Sequence, residues 1–484
     1  MNRTFKVAML ASGNFFVTLT GLVTAAVLSR VFTKGDYAVY KQTLLAYRFV
    51  APILTLGLPQ ALFYFIPLNR KNSRSLLSSN FTLLFLMGLV FAISMLLGGN
   101  VLLANQFSNP ALKKTLLIYA PYGFLALPAT AIGACLIAFN RVKTLTIYNV
   151  LRQVVVFIVI VIPCLIWRTP EAAITGAVIG VAIVLFPAIY MMYSSSSGTS
   201  WLPNRTNMWE QLKYSVPLGM AHIVGNLQVN IDKFIVSSMC SPEDFAIYVN
   251  GAVEIPLVGM ITGSIISILI PEFVELYRNG EFSELVALWR RTMIKTSYLV
   301  FPVMVYLFIM SDEFIQTLFS SKYTASVVPF RIYLIFLMAR ITNFGSVEMA
   351  AGKSQIVLFI TIGDLIVNII FTIILVPIIG YIGAAIGTVM TTYLFAIPVH
   401  MFVYKRILKT PISKLLPLKK LSAVMLGSLA CLPLTFSKLL IPDYDILKLA
   451  VTSAMFFTGI VVVFRITGIG DLVSIVKSLK FGNA

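Results

Sequence analysis

Charge is what this chain has little of. Only 11% of its 484 residues are Asp, Glu, Lys or Arg, against about 25% in a soluble globular domain, so a fully water-exposed surface is excluded. Acids are the scarcer sign, 18 against 37 bases, and histidine occurs twice. An acid–base or metal centre built from carboxylates and imidazoles therefore has little material to draw on. Four cysteines, Cys135, Cys164, Cys240 and Cys431, are scattered without close pairing, which suggests neither a disulfide framework nor a metal site. Long polar stretches are missing as well. The longest connections run from about Ser194 to Glu210 and from Arg278 to Arg291, too short to hold a soluble ATPase or catalytic domain, and no cofactor is expected.

What is present is apolar: 58% of residues are hydrophobic. Windows of about 20 residues, the length of helix that crosses about 30 Å of hydrocarbon, pick out about 14 spans. They cover roughly residues 7–29, 43–66, 79–103, 115–139, 145–167, 172–193, 211–237, 250–274, 293–311, 325–349, 355–377, 381–404, 420–441 and 446–465. None alternates with a period of two and all are too long for barrel strands, so the fold class expected is an all-α integral membrane bundle. Arg3 and Lys6 precede the first run, which extends to about Leu28 without a small-residue cleavage site. It reads as a retained helix rather than a signal peptide.

A net charge of +19 would in a soluble protein suggest nucleic acid, and the placement of the bases answers that. With both termini inside, inward connections hold 23 Lys or Arg and outward ones eight, the latter including Lys34, Lys41, Lys113 and Lys114. This is the positive-inside asymmetry, with anionic lipid headgroups as partners and no nucleic acid implied. Asn80 and Asn204 open glycosylation-like triplets at inward ends and are assigned no role.

The chain also repeats itself. TKGDYAVY at 33–40 matches SPEDFAIY at 241–248, ITGAVIG at 174–180 matches YIGAAIG at 381–387, and IVIP at 160–163 matches ILVP at 374–377, all in one order. The unit is six helices, giving lobes at 1–205 and 206–410 and a two-helix extension at 411–484. An even helix number makes the repeats parallel, with a central cleft of the kind that holds transporter cargo. The repeated glycines read as helix-packing elements, and the 33–40 and 241–248 segments as turns whose acid caps the next helix.

Ionisable residues inside the membrane are costly and are expected to face the bundle interior or a wet cavity. The bases are Arg30, Arg48, Arg152, Lys233, Arg331 and Arg340; the acids are Asp232, Glu254, Glu348 and Asp364. Arg30 and Arg331 are equally well placed to snorkel to a membrane boundary. His222, Asn226, Asn230 and Lys233 fall at i, i+4, i+8 and i+11, one helical face. Asp232 points about 100° away from Lys233, so the two need not pair. Arg48, Pro52, Thr55 and Pro59 make a second stripe whose prolines free carbonyls and bend the helix. Asp364 and Asn368 share a face, and His400, near an inward helix end, carries only a weak functional claim.

VLSRVFTKGDYAVY, GLPQALFYFIP, NIDKFIVSSMCSPEDFAIY, SILIPEF and PIIGYIGAAIGT, set in six plus six plus two helices, resemble polysaccharide flippases. These are the Wzx-type O-antigen and capsule-unit transporters of the multidrug/oligosaccharidyl-lipid/polysaccharide (MOP) superfamily. The resemblance implies a monomeric two-lobe bundle in the bacterial cytoplasmic membrane, alongside other polysaccharide-assembly proteins. It would move an undecaprenyl-pyrophosphate-linked oligosaccharide to the outer leaflet by alternating access. Arg30 and Arg48 match by helix position the arginines of related flippases, whereas Pro256 stands where the second lobe would repeat Arg48.

Arg offers phosphate a fork of donors and amides suit sugar hydroxyls. The candidate substrate residues are thus Arg30, Arg48, Arg152, His222, Asn226, Asn230, Lys233 and Arg340. Coupling to an H+ or Na+ gradient would use Asp232, Glu254 or Asp364. The rival readings are a cation-coupled multidrug antiporter of the same superfamily, which wants an acidic cavity, and a membrane polymerase or ligase, which usually needs a substantial outward loop.

Overall fold

A computed structural model describes residues 3–198, 200–253, 255–442 and 444–470. Among these residues there is no strand. The long helices are α1 (Arg3–Val31), α2 (Lys34–Leu68), α3 (Arg70–Gln106), α4 (Leu112–Tyr119 continued by Tyr122–Ala138 with a 47° bend), α5 (Val142–Trp167), α6 (Pro170–Ser195), α7 (Arg205–Met239), α8 (Pro256–Arg278), α9 (Phe282–Ile309), α10 (Ser321–Ala350), α11 (Ser354–Ile379), α12 (Tyr381–Ile407), α13 (Leu418–Leu440) and α14 (Asp445–Ile466), with shorter ones at Pro242–Gly251, Ser311–Phe319 and Ile412–Leu415. Their order and positions follow the fourteen expected spans. By length and composition, 11 of the described helices suffice to cross a membrane, and the bent α4 makes a twelfth. α7 is long enough at 35 residues but carries His222, Asn226, Gln228, Asn230, Asp232 and Lys233, and so falls short on composition.

The chain divides into two compact units, Met1–Ala246 and Ile247–Ala484. In the first, α7 packs on α2 and α3. α2 is broken in the middle: Leu56 and Gly57 both take left-handed backbone angles, φ 47° and 72°, and Pro59 sits in the first turn of the resumed helix. The break lies between the two prolines expected to bend this helix. α7 meets it backbone to backbone. A Cβ on Gly57 would lie 2.8 Å from the Gly219 nitrogen, and one on Gly219 would lie 2.4 Å from the Leu56 carbonyl carbon.

A buried amide clamp holds α7 in place beside the break. Asn80 Nδ2 donates to Gln211 Oε1 at 2.6 Å and to the Leu58 carbonyl at 2.9 Å, while Gln211 Nε2 donates to the Leu76 carbonyl at 3.1 Å. Asn80 and Gln211 are both fully buried. The triplet at Asn80 is thus structural, and Asn204 instead caps α7, accepting the Thr206 N–H at 2.8 Å. Asn80→Ala leaves Gln211 Oε1 and the Leu58 carbonyl without this donor. A loss of about 1–3 kcal/mol is expected, to be read as a lowered melting temperature of the detergent-purified protein.

The repeats have the same local use. Asp36 N–H donates to Thr33 Oγ1 at 3.1 Å, whose hydroxyl donates to Asp36 Oδ2 at 2.6 Å; Ser241 and Asp244 do the same at 3.1 and 2.8 Å. The hydroxyl is the cap and the acid accepts that hydroxyl's proton, orienting it, a refinement of the expected acid cap. A Cβ on Gly176 would lie 2.2 Å from the Val159 carbonyl oxygen, and one on Gly383 would lie 2.5 Å from that of Leu375. Within each unit the repeated glycine lets one helix touch its predecessor, α6 on α5 and α12 on α11.

In the second unit, α9 carries much of the buried core, including Trp289, Met293 and Phe301. The final pair of helices is tied on by Lys438 to Glu313 at 2.7 Å and by the Tyr306 hydroxyl to the Leu449 carbonyl at 2.8 Å. Arg331 pairs with Asp312 at 2.7 Å, which gives it a structural use.

Candidate functional site

The break in α2 opens a cavity of about 440 Å³ inside the first unit. Tyr47, Arg48, Ala51, Pro52, Thr55 and Gln60 line it from the two segments of α2, Leu127 and Thr130 from α4, and His222, Asn226 and Asn230 from α7. The backbone explains the opening. Pro52 has no N–H for the carbonyl one turn back, that of Arg48, and the helix ends at Thr55, whose hydroxyl donates to the Pro52 carbonyl at 3.0 Å.

Four of the expected substrate residues therefore converge: Arg48, His222, Asn226 and Asn230. Arg48 is exposed in the opening and, among the described residues, forms no ion pair. Among the described residues, no carboxylate lines the cavity. Asn226 Nδ2 donates to the His222 carbonyl and Asn230 Nδ2 to the Asn226 carbonyl, each at 2.9 Å. Each amide thereby spends one donor on its own helix and keeps its oxygen as an acceptor. Gln60 Oε1 is buried without a hydrogen-bond partner among the described residues, a group that a ligand donor would satisfy. Beside Arg48, Tyr47 meets Tyr122 edge-on at 4.9 Å, and Tyr122 stacks on Tyr119 at 4.3 Å. The cavity has one strong cation, several amide and hydroxyl groups and an aromatic wall behind them.

The other candidates lie elsewhere. Lys233 Nζ turns to the Val229 carbonyl at 2.9 Å and to Asp232 Oδ1 at 3.5 Å, so these neighbours do pair, which their angular separation left open. The long lysine stem bridges the gap that the Cβ directions leave. Arg30 donates to the Ala26 carbonyl at 2.8 Å at the end of α1, and Arg152 is half-buried on α5. In the second unit Arg340 stacks over Phe336 at 5.1 Å, and Asp364 is half-buried on α11 next to the turn that bears Asn368. Glu254 lies outside the described residues.

Sequence reasoning missed three residues. Gln60 and Tyr47 belong to α2, and the amide within the apolar GLPQALFYFIP was the signal for the first. Lys41, expected in an outward connection, lies inside α2 two turns before Arg48, half-buried with its ammonium over the Tyr37 ring at 5.2 Å. A spacing of seven puts Lys41 and Arg48 on one helical face, and α2 starts nine residues earlier than the hydropathy window did.

The architecture defines a class, an all-helical membrane bundle with the fold seen in transporters of the MOP superfamily. The structure of a lipid II flippase MurJ in an inward closed conformation matches with a TM-score of 0.72 over 94% of this chain and 99% of that one, at 17% identity. An inward-facing multidrug resistance MATE transporter of the MOP superfamily matches with 0.65 over 81% and 95%, at 15% identity. Identities this low speak for the fold alone.

The sequence family narrows the class. The model of a family described as polysaccharide biosynthesis protein matches residues 27–328, and the chain belongs to that family. The capsular polysaccharide biosynthesis protein CapF of Staphylococcus aureus is 21% identical over 196 residues, 40% of this chain and 49% of that protein. The match thus spans about half of that relative.

Proposed function

We propose that this protein is a flippase that carries a lipid-linked oligosaccharide, with undecaprenyl pyrophosphate as the lipid carrier, across the bacterial cytoplasmic membrane by alternating access. Its termini lie on the cytoplasmic side, in keeping with the distribution of basic residues. The observation that carries this reading is the acid-free cavity around Arg48, in a chain of the polysaccharide biosynthesis family. A phosphate group needs a guanidinium fork; sugar hydroxyls need the acceptors of Asn226, Asn230 and Gln60; sugar faces pack on aromatic rings such as those of the tyrosine cluster. The six-plus-six-plus-two lobe scheme is part of the same proposal and rests on the sequence repeats.

The test is transport by the purified protein in liposomes. A fluorescent undecaprenyl-pyrophosphate oligosaccharide on one leaflet is expected to become accessible to a membrane-impermeant quencher or glycosidase on the other. A cationic dye of the kind an acidic cavity would hold is expected to bind at least about tenfold more weakly than the anionic lipid, the discrimination that one charged hydrogen bond supports. Tighter dye binding with no lipid movement would replace the flippase by the organic-cation antiporter.

A further inference from the structure

The second unit buries two titratable side chains against each other. Glu348 is 0% exposed and His400 is 8% exposed; Glu348 Oε1 lies 2.6 Å from His400 Nδ1, 52 residues away in sequence. Phe344 stacks on the imidazole at 4.8 Å with an interplanar angle of 6°, closing one face to water. Glu348 Oε2 is buried and has no hydrogen-bond partner among the described residues.

Both residues sit on irregular backbone. α10 breaks before Glu348: Arg340–Thr342 is a 3-10 turn, Asn343 and Gly345 follow with φ 48° and 91°, and Glu348 rides on the short last helix Ser346–Ala350. Trp289 Nε1 holds the Thr342 carbonyl at this break at 2.8 Å. α12 contains a π-helical turn, Thr391–Ala396, ending one turn before His400. Single π turns concentrate at functional sites. Two interrupted helices thus meet at one buried pair.

We propose that Glu348 and His400 form a proton-binding site whose occupancy holds the last turn of α10 against α12. With one proton between Oε1 and Nδ1 the pair is neutral, whether it is drawn as imidazole and carboxylic acid or as imidazolium and carboxylate. Losing that proton leaves one uncompensated negative charge in a desolvated pocket, which is costly. The charge is relieved only if Ser346–Ala350 leaves α12 and admits water.

Two further titratable groups face the pair. Tyr404 on α12 lies beside the Glu348 carboxylate and accepts the Gly345 N–H at 3.2 Å, and Asp364 on α11 lies within the electrostatic reach of His400. α8 and α9 present Phe273, Leu285 and Trp289 to this core, while Glu272, Glu275, Arg278, Glu284, Arg291 and Lys295 on those helices are exposed and Arg290 is half-buried. Arg340 is occupied with Phe336, and Lys353, Lys405 and Arg406 are exposed.

Trp289 reports on this site without any transport, since its ring contacts Tyr404 at 4.9 Å. With Trp167, Trp201 and Trp209 replaced by Phe, the fluorescence of the full-length protein is expected to follow a one-proton transition as the pH is scanned across the range in which the protein stays folded. Glu348→Gln and His400→Gln are each expected to abolish it, and Asp364→Asn to shift its midpoint. A flat titration, or the same transition in both Gln variants, would overturn the proposal.

Should the variants fail to fold, hydrogen–deuterium exchange of the natural protein decides. Protection of Ser346–Ala350, corrected for intrinsic rates, is expected to fall at least about fivefold from pH 6 to pH 8, and unchanged protection refutes the site. Neither readout uses a substrate, so the site stands or falls separately from the flippase reading on which its use in coupling rests.

Discussion

Arg48→Ala is expected to weaken binding of undecaprenyl pyrophosphate roughly tenfold to hundredfold, the equivalent of the roughly 1.5–3 kcal/mol of a charged hydrogen bond, and to slow flipping in proportion. The reason is local. Arg48 is the one residue among those lining the cavity whose charge is fixed at neutral pH, and no acid there competes for it. Arg48→Lys keeps the charge but loses the planar fork, so an intermediate loss is expected. Lys233→Ala is the contrast, because its ammonium is held by Asp232 and the Val229 carbonyl; its effect should fall on thermal stability rather than on affinity. Thermophoresis of the detergent-purified variants with the lipid gives the affinities. Equal affinity in Arg48→Ala and the natural protein, at equal monodispersity, would remove the phosphate role from this cavity.

Gly219→Val is expected to be strongly damaging to the first unit. The new Cβ would stand 2.4 Å from the Leu56 carbonyl carbon, 2.6 Å from its oxygen and 2.8 Å from the Gly57 nitrogen. All three are backbone atoms, which cannot swing aside as a side chain would. Overpacking in a core costs typically about 1–3 kcal/mol, and this contact sits above that range because either α7 or the α2 break must move. Loss of monodisperse protein on size exclusion is the expected result. Gly219→Ala brings the same Cβ clash without the two γ-methyl groups, so a smaller but still large fall in melting temperature and a distorted cavity are expected, since the same contact positions His222 and Asn226 opposite Arg48. Gly57 is more constrained still, with a positive φ as well as the close approach.

Much of the site is legible in the order of the residues. Arg48 stands out as a charge in an apolar span, and His222, Asn226 and Asn230 stand out because a helix places every fourth residue on one side. The spans, their helical type and the repeated glycines and caps follow from the same local periodicities. Lys41 escaped because Lys34, Asp36 and Lys41 together lower the mean hydropathy at the start of α2, whereas a lysine with a long apolar stem remains in the helix beside Tyr37. The pairing of Glu348 with His400 escaped for a different reason: the break in α10 brings them together, and 52 residues of chain separate them.

The sequence by itself determined an all-helical membrane protein, its order of helices and the polar faces they carry, because hydropathy and a 3.6-residue repeat are properties of contiguous residues. Only the tertiary structure decided which faces share a cavity. The left-handed turn at Leu56–Gly57 and the bare backbone of Gly219 bring Arg48, Gln60 and Asn226 together, and a contact between distant segments leaves no periodic trace in any one of them.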